Sequence, residues 1–121
     1  MRFMVTLITD GTATAGMGPE EMREMGERMG SFMEEIESAG VLLHTDALAP
    51  SSSARTLRYG KEGRAVVTDG PFTESKEQMA GYMVIECGDL DDAMEWVRRM
   101  PVPGGAVEVR PIADRSAPDR S

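Results

Sequence analysis

The sequence is poor in the residues that most often carry metal, redox or nucleophilic chemistry, with one cysteine, Cys87, and one histidine, His44. A single cysteine excludes an internal disulfide and a cysteine-rich metal site. Its position in an apolar run favours a small buried side chain over a reactive thiol. The chain also lacks a Walker loop, a Rossmann glycine pattern and paired histidines or cysteines. We therefore expect no cofactor and no bound metal.

Long apolar runs and an excess of positive charge are absent as well. No apolar run approaches the ~20 residues of a membrane-spanning helix, and residues 1–11 lack the apolar region and cleavage site of a signal peptide. With 13 basic and 21 acidic residues the net charge is -8, which disfavours general attraction to nucleic acid or to an anionic membrane. These features predict a cytoplasmic protein that binds neither nucleic acid nor membrane.

The length of 121 residues suits a single domain of ordinary globular composition. We place that domain at residues 1–112, where apolar periodicity is found. Residues 113–121 are polar and aperiodic, which predicts a disordered C-terminal tail.

Hydrophobic periodicity and turn signals predict two helices and six strands. The predicted elements are, in order, a strand over 2–9, a helix over 19–39, strands over 41–48, 55–59, 64–68 and 81–87, a helix over 89–100, and a strand over 106–112. The first helix opens at Pro19, carries an apolar stripe that is mostly methionine, and ends at Gly40. Asp89 is the predicted N-cap of the second helix.

This order of elements indicates an α+β protein of ferredoxin-like βαββαβ plan with an inserted β-hairpin. Two helices cover one face of a mostly antiparallel sheet, and strand 2–9 is apolar on both faces. The uncovered face would be a larger apolar patch than soluble monomers usually expose. We therefore expect a homodimer whose two sheets face each other around a cavity.

The segment TDGPFTESKE, residues 68–77, combines a tight turn with a concentration of charge. We expect Phe72 to be buried and to anchor the turn on the core. Because Pro71 has no N–H, the Asp69 carboxylate is expected to accept hydrogen bonds from the backbone N–H groups that follow. Glu74, Lys76 and Glu77 would then be displayed beyond the turn.

Two pairs of charged residues lie two positions apart on strands and therefore share a face. His44 and Asp46 form a candidate general acid/base pair, although a lone histidine on a strand is more often structural. Glu108 and Arg110 are predicted to lie on the face away from the helices. Arg110 would there hold an acidic ligand, or simply pair with Glu108 or a cross-strand carboxylate.

Four segments together resemble the DGPF-domain proteins of the YCII-related family. They are VTDGPFTESKEQMAGYMVIE at residues 67–86, AGVLLHTDALAP at 39–50, DLDDAMEWVRRMP at 89–101 and VEVRPI at 107–112. The resemblance implies a dimeric α+β barrel and points to the residues that match the motif, namely Asp69, Gly70, Pro71, Phe72, Glu74, Lys76, Glu77 and Gly81. Relatives in the wider family include a chloromuconolactone dehalogenase and have been proposed to use a His and Asp pair, and DGPF proteins are often encoded beside extracytoplasmic-function sigma factors.

Two functions of different class are consistent with the sequence. In the first, the dimer is an enzyme for cofactor-independent proton transfer on a small organic substrate, with Asp69 or His44 as base and Lys76 or Arg110 stabilising charge. The ligand would also contact Asp46, Phe72, Glu74, Glu77 and Arg110. In the second, the protein is a noncatalytic ligand-binding or accessory protein in a regulatory, sigma-factor-linked pathway, and the turn at 68–77 is architectural.

Overall fold

The computed structural model describes residues 1–114 and contains two helices and six strands. The bounds are β1 Arg2–Thr9, α1 Pro19–Ser38, β2 Leu42–Ala47, β3 Arg55–Tyr59, β4 Ala65–Asp69, β5 Gln78–Glu86, α2 Leu90–Arg98 and β6 Ala106–Pro111, with 3-10 turns at Thr12–Thr14 and Ser51–Ser53. Each predicted element is present, with ends within three residues of the prediction. The predicted tail at 113–121 falls, from residue 115 onward, outside the described residues.

The main sheet is antiparallel and has the strand order β2-β5-β1-β6. This order, with one helix after β1 and the other after β5, is compatible with a ferredoxin-like fold. Strands β3 and β4 pair with each other as a separate antiparallel two-stranded sheet. We call this two-stranded unit, residues 55–69, the β3–β4 hairpin.

The core lies between the main sheet and the two helices. Its buried members are Phe3 and Val5 of β1, Met83 and Ile85 of β5, Phe32 and Ile36 of α1, and Ala93 and Val97 of α2. Alternate residues of a strand point to opposite faces, so burial of one set in β1 and β5 directs the intervening set to the face without helices. That helix-free face is where the candidate site lies.

Helix ends follow the local sequence signals. Pro19 occupies the first turn of α1, and Gly40 follows its end with a φ of 74°. At α2, the Asp89 carboxylate accepts a hydrogen bond from the N–H of Asp92 at 2.8 Å, so the predicted N-cap is confirmed. Neither helix in the described part of the chain has both the length and the apolar character needed to cross a membrane.

Candidate functional site on the helix-free sheet face

The register of the four main strands places two rows of side chains across the helix-free face. The first row is His44, Val84, Met4 and Arg110, and the second is Asp46, Tyr82, Thr6 and Glu108, each read from β2 through β5 and β1 to β6. The face therefore has an apolar centre and charged groups along both edges.

A hydrogen-bonded cluster joins β2 to β5 at one edge of this face. His44 Nε2 lies 2.8 Å from Asp46 Oδ2, and the Tyr82 hydroxyl lies 3.5 Å from the same oxygen. The His44 and Tyr82 rings are 5.7 Å apart between centroids, at an interplanar angle of 40°. The structure thus places His44 and Asp46 on one face and in contact, and adds Tyr82, which sequence reasoning missed.

A register shift in β2 sets the direction of His44. Leu42 pairs with Ile85 on the helix side, and the next paired residue is His44, opposite Val84. Between these two pairs, β2 has one residue more than β5. Without this extra residue, simple alternation would put His44 opposite Met83, which is buried beneath the helices. The shift therefore brings the imidazole to the helix-free face, where it meets Asp46.

Glu108 and Arg110 form a second ion pair at the opposite edge. Arg110 Nη2 donates to Glu108 Oε1 at 2.9 Å, and both residues lie on the predicted face. With strands spaced about 4.8 Å apart, three strand steps separate Arg110 from His44 by roughly 14 Å. Within one protomer the two charged pairs are separate features.

The prediction that Phe72 is buried is wrong. Its side chain is 69% exposed, and its partner is Arg58 of the β3–β4 hairpin. The Arg58 guanidinium carbon lies 4.7 Å from the centre of the Phe72 ring, while Arg58 Nη2 donates to the Phe72 carbonyl at 3.1 Å. The turn at 68–77 is attached to the exposed hairpin, so its aromatic residue stacks on an arginine and does not reach the core.

The expected role of Asp69 is also wrong, because groups other than its carboxylate hold the turn. The N–H of Gly70 donates to the Ala54 carbonyl at 2.7 Å, and the Thr56 hydroxyl donates to the Gly70 carbonyl at 2.8 Å. The Asp69 carboxylate is almost fully exposed and faces Arg55 Nε at 3.5 Å. Asp69 therefore makes a surface ion pair, of the kind that contributes little to stability.

The remaining charged residues of the turn, Glu74, Lys76 and Glu77, are exposed as expected. The pKa of Asp10 is lowered chiefly because its carboxylate accepts hydrogen bonds from the hydroxyl and the N–H of Thr12. The positive charge of Lys76 lowers this pKa to a smaller extent. Among the described residues, Asp69, Lys76 and His44 form no hydrogen bond or ion pair with one another. The structure brings together His44, Asp46 and Tyr82, not the residues of the turn.

An apolar cleft of about 290 Å³ lies between α1 and the main sheet. Four methionines, Met29, Met33, Met83 and Met100, contribute to its wall, together with residues 45–47 of β2 and 80–83 of β5. Asp46 and Tyr82 are among these lining residues. In residues 1–114 no three His, Cys, Asp or Glu side chains are grouped closely enough to hold a metal ion.

Comparison with known proteins identifies the family of the chain. A family model described as the YCII-related domain matches residues 1–116. An uncharacterized protein of Rhizobium meliloti (strain 1021) is 33% identical over 116 residues, which cover 93% of each chain. Because the family model matches nearly the whole sequence, the chain belongs to the YCII-related family.

Proposed function

We propose that this protein is a homodimer whose two helix-free sheet faces pack toward each other around a cavity for a small organic molecule. The resulting assembly is a dimeric α+β barrel in which the β3–β4 hairpin is an insertion into the ferredoxin-like plan. The proposed dimer is supported by the apolar centre of the helix-free face. There Met4 and Val84 lie side by side, and no helix covers them. Burial of such a patch is the common driving force of association.

Within this cavity His44 is the general base. When Nε2–H donates to the Asp46 carboxylate, the lone pair of the other ring nitrogen is free to accept a proton from substrate. Asp46 fixes the orientation of the ring and stabilises the imidazolium that forms. The Tyr82 hydroxyl donates its proton to the same carboxylate and helps to hold it in place. The chemistry is proton abstraction next to a carbonyl and needs no cofactor.

The observation that carries this proposal is the shared carboxylate oxygen. Two ionisable side chains from neighbouring strands, His44 and Tyr82, both approach Asp46 Oδ2. A histidine that served only to pack on the sheet would not require this arrangement. A base held by an orienting carboxylate is an arrangement that an acid/base site requires.

Deuterium exchange tests the proposed chemistry without knowledge of the natural substrate. A panel of small 2-keto acids and lactones is incubated with the protein in D₂O, and loss of the proton signal next to the carbonyl is followed by NMR. We expect exchange with at least one compound, slowed roughly 10²- to 10⁴-fold by His44→Gln and less by Tyr82→Phe. Equal rates for wild type and His44→Gln would contradict the assignment of His44 as base.

The second candidate is a noncatalytic ligand-binding or accessory role in a regulatory pathway. The observation that favours it is the exposure of the charged residues of the turn at 68–77, where Asp69 faces Arg55 and not His44. The turn then presents charge outward as a contact surface. Ligand binding that is unchanged in His44→Gln, in the absence of any exchange by wild type, would favour this role over catalysis.

A further inference from the structure

The apolar stripe of α1, which is mostly methionine, belongs only in part to the core. Phe32 and Ile36, in the C-terminal half of the helix, are buried. Met29 and Met33 are half-buried, and both lie along the apolar cleft of about 290 Å³ between α1 and the main sheet. We call this space the methionine cleft. One part of the apolar face of α1 thus packs in the core, and another part borders an open space.

The walls of the methionine cleft come from elements that are far apart in sequence. The larger apolar side chains that line it are Met29 and Met33 of α1, Met83 of β5, Met100 after α2, and Val5 and Leu7 of β1. Methionine is unbranched and flexible, so it adapts to irregular spaces by changing rotamer. A wall that consists largely of methionine can therefore fit closely around a bound apolar molecule.

The polar groups beside the cleft have partners elsewhere. The Thr45 hydroxyl donates to the Tyr82 carbonyl at 2.9 Å, and the Tyr82 hydroxyl approaches Asp46 Oδ2 on the helix-free face. The described residues that line the cleft include no lysine, arginine or histidine. An anion would therefore meet no opposite charge in the cleft. Because burial of a polar group without a partner is costly, this lining selects a neutral and mainly apolar molecule.

The volume of the cleft limits the size of that molecule. An apolar cavity of about 150 Å³ holds one benzene molecule, so the 290 Å³ of this cleft corresponds by proportion to roughly 12 non-hydrogen atoms. A single turn of α-helix, about 10 Å across and 5.4 Å long, occupies roughly 400 Å³. The cleft is therefore too small to admit a helix of a partner protein, and its volume suits a small molecule.

We propose that the methionine cleft is a binding site for a small, neutral and largely apolar molecule of roughly 12 non-hydrogen atoms. Its apolar body lies between Met33 of α1 and Met83 of β5, and its polar end stays in water beside the exposed Thr45 of β2. The removal of apolar surface from water drives binding. Because His44 lies on the other face of the same sheet, binding in the cleft requires neither the chemistry of His44 nor the proposed dimer.

Methionine methyl signals report on this site directly. The protein is labelled with [¹³C-methyl]methionine and titrated with 1-octanol, a neutral probe, while the signals are followed by NMR. We expect saturable shifts of the four cleft methionines, Met29, Met33, Met83 and Met100, and no shift of Met4 on the helix-free face. Larger shifts at Met4 than at the cleft methionines would place the probe between the sheets and overturn the site. The absence of a saturable shift at any methionine would also overturn it.

A series of 1-alkanols tests the size and charge of the ligand. Each added methylene should tighten binding about fourfold up to 1-decanol, which fills the cleft, and longer alcohols should gain nothing further. Octanoate should bind more weakly than 1-octanol, because the chain carries a net charge of -8. An affinity that continues to rise to 1-dodecanol, or tighter binding of octanoate than of 1-octanol, would overturn the proposed class of ligand.

Two nearly isosteric substitutions separate the cleft from the surface of α1. Met33→Gln places an amide in the cleft wall, and Met22→Gln makes the same change at an exposed methionine of the same helix. We expect the dissociation constant of 1-octanol to rise about tenfold in Met33→Gln and to stay unchanged in Met22→Gln. Met29→Gln is the second cleft variant if Met33→Gln does not fold. Equal dissociation constants for the cleft variant and Met22→Gln would overturn the site.

The same titration distinguishes this site from the proposed function. His44→Gln should bind 1-octanol with the dissociation constant of the wild type, and loss of binding in this variant would overturn a site on the helix side of the sheet. A wild type that is monomeric, or that shows no deuterium exchange, would overturn the proposed function. Saturable shifts of the cleft methionines in such a protein would still support the methionine cleft as a binding site.

Discussion

His44 and Arg110 lie at opposite ends of one row on the helix-free sheet face, with Val84 and Met4 between them. Three strand spacings separate the two backbones by roughly 14 Å. The side chains have different partners, since His44 contacts Asp46 and Arg110 donates to Glu108. The charged groups of this face therefore form two pairs, one at each edge, and the proposed chemistry uses the pair that contains His44.

Phe72→Ala should lower the free energy of unfolding by only about 1 kcal/mol or less. The exposed ring forfeits its stacking on Arg58, an interaction worth about 0.5–1 kcal/mol at surface sites. Phe3→Ala is the matched control, because Phe3 is fully buried and should cost roughly 3–5 kcal/mol. Denaturant unfolding of both variants gives the comparison. A similar loss for the two would mean that Phe72 is buried in solution.

The contrast between His44 and Phe72 shows which structural features can be predicted from the sequence. A strand fixes the relative direction of residues two apart, so the shared face of His44 and Asp46 followed from local geometry alone. The burial of Phe72 depended on where the whole turn packs, and composition gave no information on that. Tyr82 was missed for a related reason, since its approach to Asp46 depends on the register between β2 and β5, which are far apart in sequence.

The elements themselves were predictable because their signals are local. Proline, capping aspartate and the spacing of apolar residues defined both helices, and their observed ends agree closely. Local signals did not give the strand order β2-β5-β1-β6, because it depends on pairing between strands that are far apart in sequence. Hydrophobic periodicity also does not predict that the β3–β4 hairpin lies outside the core.

Gly105→Ala should destabilise the protein by at least about 2 kcal/mol. Gly105 has a φ of 86°, and a Cβ atom there would lie 2.3 Å from the carbonyl oxygen of Ile8. Both the backbone angle and the close approach to β1 exclude a side chain. Gly11→Ala is a useful control, since Gly11 has a similar φ of 83° but open space around it. Thermal unfolding should therefore show a larger loss at Gly105 than at Gly11.

Gly30→Ala should increase the free energy of unfolding by about 1 kcal/mol. Gly30 lies inside α1, and a Cβ atom at this position would meet nothing within 4 Å. The substitution restores helix propensity without a clash. A loss of stability in urea unfolding would indicate that another surface packs closely against this side of α1.

Alkylation of Cys87 should be slow at neutral pH and should accelerate as pH rises. Burial raises the pKa of the Cys87 thiol, and the nearby Asp92 carboxylate raises it further, so the reactive thiolate forms at higher pH than in an exposed cysteine. The rate with iodoacetamide, measured against pH in the native and the denatured protein, gives the test. The native curve should lie at higher pH, and coincident curves would contradict the assigned burial.

The solution mass of the protein tests the central claim most directly. Sedimentation equilibrium at micromolar concentration should give about twice the chain mass of 13.2 kDa, because the helix-free faces are expected to bury each other. Val84→Glu places a charge at the centre of that face and should give the mass of one chain. Met22→Glu makes a comparable change at an exposed methionine of α1 and should leave the dimer intact. A wild-type mass of one chain, or a Val84→Glu protein that remains dimeric, would contradict the account.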